Sequence, residues 1–127
     1  GTETTFALAE SVAALEGGHM AVVTSSGTAA IALGLTTFVA SGDHLLVADT
    51  VYGATRRFCD ESLRRFDVEV TYFDPLVAGD ITALFRANTR AVYLESPASQ
   101  TFEVIDVPAI ARAARERGVA TLMDNTW

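Results

Sequence analysis

Residues 42–55 read GDHLLVADTVYGAT. The turn pair Gly42-Asp43 leads into an unbroken apolar run after His44, the pattern of a strand buried on both faces. That run stops at Asp49-Thr50, and Gly53 opens an amphipathic stretch that reaches Phe66. A wholly apolar strand followed by a crossover helix predicts a parallel sheet, because parallel neighbours cannot be joined by a tight turn.

The same alternation extends in both directions. Towards the N-terminus the spacing predicts a helix over residues 5–15 closed by Gly17-Gly18, a strand over 21–24, and a helix from Gly27 to about Ala40. Towards the C-terminus it predicts strands over 68–73, 91–94 and 119–123, with a turn at "DPLVAGD" and a short helix over 81–86. The last helix carries the clearest end signals: Asp106 as N-cap, Pro108 in the first turn, Arg112, Arg115 and Arg117 towards its negative end, and Gly118 past the stop. Five strands separated by helices predict an α/β fold, a mostly parallel sheet covered on both faces as a three-layer αβα sandwich.

Composition narrows the function classes. The chain has 127 residues, half of them hydrophobic, enough for the core of one domain. A net charge of -7, with all nine basic residues arginines spread singly or in pairs, makes nucleic acid a poor partner. No apolar run approaches the roughly 20 residues that span a bilayer, and the first ten residues resemble no targeting peptide. The single cysteine, Cys59, excludes an internal disulfide, suits a reducing, cytoplasmic location, and sits among helix formers as a packing residue. The chain begins without methionine in a polar "GTETT" segment and stops at a strand end, so it is expected to be a fragment.

In parallel sheets, ligands bind at the carboxyl ends of strands. The first such end reads "TSSGTAA", residues 24–30: small residues before a helix let a ligand approach the backbone, and the free amides of the first helical turn attract phosphate. Taken alone, the segment equally suits a plain turn with a Ser cap. It lacks both the glycine fingerprint of dinucleotide-binding domains and the lysine of a P-loop. Tyr52, followed by Gly53, places a ring at the next strand end, where it can stack on a flat ligand or pack. Asp124, directly after "ATLM", is costly unless a cation meets it. A phosphate cradle, a stacking ring and a carboxylate for a protonated pyridine together describe pyridoxal 5'-phosphate. His19 and His44 are isolated, and no metal site is expected.

The segments "ALEGG", "SSGTAAI", "GDHLLVADTVYGAT", "LESPASQT", "DVPAIA" and "DNTW" resemble, in order, the landmarks of the Cys/Met-metabolism family of pyridoxal-phosphate enzymes. Within it, "FDPL", Ser99 and the Trp127 of "DNTW" look most like the bacterial cystathionine β-lyases. The resemblance implies part of the large domain of a fold-type I enzyme, usually a homotetramer of two catalytic dimers, acting on a small sulfur amino acid. It implies the cofactor phosphate on the amides of Gly27 and Thr28, the ring under Tyr52, and the pyridine nitrogen on Asp124. Tyr52 also falls on the tyrosine that relatives implicate in accepting the substrate's amine proton. Ser99 stands where the family pattern has an asparagine near the cofactor's ring oxygen, and Glu95 is expected to order its loop. Because the chain has no lysine, the Schiff-base lysine is expected outside it, and the resemblance implies that the N-terminal arm and the C-terminal domain also lie outside. Two other readings remain: a relative catalysing γ-synthesis, γ-elimination or sulfhydrylation, and a catalytically dead cofactor-binding or interaction module.

Overall fold

β1 (His44–Ala48), the strand of the opening stretch, is an inner strand of the sheet and is buried at all its positions. A computed structural model describes residues 1–78 and 80–127; Gly79, in the expected "DPLVAGD" turn, lies outside the described residues. On one side β1 pairs with β2 (Glu69–Phe73) and on the other with β3 (Thr89–Glu95), both parallel. β4 (Ala120–Asp124) adds to β3, giving the order β2-β1-β3-β4. The chain therefore moves outward from β1 to β2 and then returns past β1 to begin β3. Such a reversal opens a crevice at the carboxyl ends of the two strands on either side of it.

The first and last crossovers lie where the sequence puts them. From Gly53 to Phe66 the backbone is helical throughout, but in three windings: α3 (Gly53–Arg57), a π-helical turn (Phe58–Leu63) and a 3-10 turn (Arg64–Phe66). Thr55, Cys59 and Leu63, each four residues apart, form its buried stripe. The Arg56 guanidinium lies 3.9 Å from the centre of the Tyr72 ring, whose hydroxyl donates to Asp60 at 2.9 Å, fastening the crossover to β2. Between β2 and β3 runs a kinked 3-10 segment (Pro75–Leu84) capped by Asp74, in place of the expected helix over 81–86. Its Ile81 is fully buried. Before β4 comes α4 (Val107–Glu116): Asp106 accepts from the Ala109 amide at 3.0 Å, and Ile110, Ala113 and Ala114 face inward. Gly118, at φ 67°, ends the helix in a conformation that favours glycine.

The chain forms two compact units, residues 1–30 and 31–127. The first holds α1 (Glu3–Leu15), capped by Thr2 and burying none of its residues, and the start of α2 (Gly27–Phe38). Residues 21–24, expected as the first strand, form none: Val22 and Val23 are 63% and 49% exposed, and this unit offers no described strand to bond with their backbone. The sheet consequently has four strands rather than five, and remains parallel. In the second unit the later part of α2 buries Leu35 and reaches β4, where a Cβ on Gly34 would come within 3.2 Å of Leu122; glycine gives that approach room. Among the described residues no helix is long and apolar enough to cross a membrane.

At the amino end of the sheet His44 ties three strands together. Its Nδ1 meets the Thr89 hydroxyl at 2.8 Å on β3, and its Nε2 meets the Thr71 hydroxyl at 2.9 Å on β2. Burial, aided by the Arg86 charge and opposed by Glu69, lowers the His44 pKa below the ordinary 6.5. The unfolded chain thus takes up the proton more readily, so the stability from neutral His44 is complete above pH 6.5 and lost as pH falls towards the folded-state value. In urea unfolding, His44→Gln should be less stable than the parent at pH 7.5, and the gap should narrow steadily on acidification. A gap independent of pH would remove the buried neutral imidazole from this account.

Candidate functional site

In a parallel sheet, registered neighbours point to the same face, and Glu95 is registered with Asp124 as Tyr93 is with Leu122. The carboxyl ends of β3 and β4 therefore carry two carboxylates abreast, above a buried tyrosine. Asp124 Oδ1 accepts from the Thr126 amide at 3.1 Å and from the Thr126 hydroxyl, so the "DNT" turn orients the acid. None of the described ion pairs includes either carboxylate.

Glu95 is 7% exposed. Burial raises its pKa and Asp124 adds to the rise, while the hydrogen bond from the Tyr52 amide opposes it. That bond, Tyr52 N–H to Glu95 Oε2 at 2.7 Å, joins the loop after β1 to the end of β3. A hydrogen bond to a charged acceptor contributes about 1.5–3 kcal/mol, against about 0.5–1.5 kcal/mol for a neutral pair. A second tie, from the Ser99 amide to the Thr50 carbonyl at 3.2 Å, closes the same two loops together. Tyr52, Ser99 and Asp124, expected to share a site, are thereby gathered on one rim with Glu95. The Tyr52 residue is 53% exposed, so it is not a core packing residue. Beside it a cavity of about 270 Å³ opens between Thr50, Gly53, Arg56, Gln100 and Thr101.

Tyr93 was missed by sequence reasoning. It is 3% exposed, and burial, with Asp124 next in effect, pushes its hydroxyl well above the ordinary range and keeps it a neutral phenol under the acids. The signal was present in the two-residue spacing of Tyr93 and Glu95, which places both on Asp124's face once the register is known. Cys59 is fully buried and its thiol is pushed up to about 12 by burial and Asp60, so it is no nucleophile.

Gly27 and Thr28 belong to the first unit, at the head of α2. Ser26 Oγ accepts from the Ala29 amide at 3.1 Å, and the Thr24 hydroxyl donates to the Ser26 carbonyl at 2.9 Å. The turn is therefore capped by Ser26, as the plainer reading had it, and this leaves the cradle reading open. The Gly27 and Thr28 amides precede any carbonyl of their own helix, and a Cβ on Gly27 would meet nothing within 4 Å. Both features suit an anion lying against the backbone.

The model of the Cys/Met metabolism PLP-dependent enzymes matches residues 1–127. The chain belongs to that family. It is 50% identical over 127 residues to a Rhizobium johnstonii protein provisionally named a cystathionine β-lyase, covering all of this chain and 32% of that protein. It is 41% identical over 129 residues to the cystathionine β-lyase of Escherichia coli, covering all of this chain and 33% of the relative. The crystal structure of a cystathionine γ-lyase from Lactobacillus plantarum complexed with L-serine superposes with a TM-score of 0.93 at 33% identity, over 98% of this chain and 32% of that one. The chain thus spans about a third of the length of the relatives it matches. The family's cofactor is pyridoxal phosphate, and the rim fits it: an oriented carboxylate outside every described ion pair and an exposed ring suit a flat cation.

Proposed function

We propose that the chain forms the cofactor-binding part of the large domain of a cystathionine β-lyase. The lysine, the N-terminal arm and the C-terminal domain would come from parts of the whole protein outside residues 1–127. The observation that carries this reading is Asp124, fixed by Thr126 at the end of β4 with Glu95 alongside and with no described ion pair. When bound, pyridoxal phosphate supplies an electron sink that allows a proton and then a sulfur group to leave an amino acid. Asp124 would keep a proton on the cofactor's ring nitrogen, since its charge favours the cationic ring over the neutral one. Tyr52 would stack on the ring and accept the substrate's amine proton. The Gly27 and Thr28 amides would hold the phosphate, and the Ser99 hydroxyl would face the ring oxygen, partly filling the place of the family's asparagine.

β-Elimination requires one proton lost from the α-carbon before sulfur leaves, whereas γ-chemistry requires a second from the β-carbon. The residues on this rim serve either course. The names of the curated relatives favour the first, and the γ-lyase structure keeps the second as the alternative. The proposed reaction converts cystathionine and water to homocysteine, pyruvate and ammonia, the water hydrolysing the enamine left by elimination, in a cytoplasmic homotetramer serving methionine biosynthesis.

The full-length protein tests this. With cystathionine it should yield homocysteine and pyruvate; cysteine with 2-oxobutyrate as dominant products would move it to the γ-branch and leave the cofactor site standing. Asp124→Asn should lower turnover by about a hundredfold or more, the usual scale for losing one oriented electrostatic partner, while cofactor content falls far less. Near-normal turnover would make Asp124 structural only.

A further inference from the structure

Glu95 is the buried carboxylate among the described residues, and the lyase reading gives it no part in the chemistry. Its position is costly. It is 7% exposed, stands abreast of Asp124, and joins none of the described ion pairs. What it does make is the 2.7 Å hydrogen bond from the Tyr52 main-chain amide. An ionised oxygen is the strongest acceptor available for an N–H.

Tyr52 needs such an anchor. It stands where the chain turns from β1 into α3, at φ -50° and ψ 141°, with no capping bond from its own side chain. Its side chain stands on the open rim, so the main chain sets where the ring lies. The tie runs directly from the strand that neighbours Asp124's strand, and so links the ring's position to that of the carboxylate.

We propose that Glu95 is a positioning residue that holds Tyr52 over the cofactor ring through the Tyr52 main-chain amide. The inference rests on the lyase reading, which supplies the ring. Because the Ser99 amide and Thr50 carbonyl fasten the same loops independently, removing Glu95 loosens Tyr52 without opening the sheet.

The test uses full-length protein with Glu95→Leu, which removes the acceptor, Glu95→Gln, which keeps a neutral one, and Tyr52→Ala, which removes the ring. Glu95→Leu should speed hydrogen exchange at the Tyr52 amide about tenfold or more, weaken pyridoxal phosphate binding about tenfold, and lower kcat/KM for cystathionine at least as much. Glu95→Gln should fall between it and the parent and recover most of kcat/KM. In a Tyr52→Ala background, which leaves no ring to position, Glu95→Leu should cost less than twofold further. Fast exchange with unchanged kcat/KM and cofactor affinity would reduce Glu95 to a loop tie and overturn the proposal, as would Glu95→Gln proving as damaging as Glu95→Leu. If Glu95→Leu does not fold, the cycle of Glu95→Gln with Tyr52→Ala decides: coupling supports positioning, and strict additivity contradicts it. If the parent protein leaves cystathionine intact, the lyase reading fails by itself, and exchange with cofactor affinity still judges Glu95.

Discussion

The pairing of β3 with β1, made after the chain has already gone out to β2, is the constraint on which the site depends. It sends the loops after β1 and β3 in opposite directions and leaves the space between them to be closed by side chains and main-chain ties. Two hydrogen bonds, Tyr52 N–H to Glu95 and Ser99 N–H to Thr50, perform that closure. β4 then extends the sheet in register and sets Asp124 next to Glu95. The amino end of the same sheet is tied by His44 and the apolar interior lies between, so the strand ends that form the candidate site project from a firmly held base.

Much of this was legible in the residues. The apolar run of β1, the Asp106 cap with Gly118 at the far end of α4, and the crossover from Gly53 to Phe66 all lie where local patterning puts them, because caps, turns and apolar periodicity act over a few residues. The strand expected at residues 21–24 shows the limit of that reasoning. Two valines give β-propensity, yet a strand exists through its neighbour, and the described residues of the first unit hold no strand for them to bond. The winding of residues 58–66 as π and 3-10 turns was also beyond the sequence, since helical patterning fixes the buried stripe better than the hydrogen-bond spacing beneath it.

The site divides in the same way. Tyr52, Ser99 and Asp124 were readable as strand-end residues, and their meeting on one rim follows from the order β2-β1-β3-β4, which no short segment encodes. Glu95 was readable only as a loop-ordering acid; its bond to Tyr52 depends on a separation of 43 residues. Tyr93 stood two residues before Glu95, a spacing that gained meaning only when the register put both on Asp124's face.

The central claim is that Asp124 is placed to hold a proton on the cofactor's pyridine nitrogen. The direct measurement is the nitrogen NMR shift of ring-¹⁵N-labelled pyridoxal phosphate bound to the full-length protein, followed from pH 6 to pH 9. The account predicts the shift of a protonated ring throughout, and its displacement towards the neutral ring in Asp124→Asn. A neutral pyridine shift in the parent protein at neutral pH would contradict it.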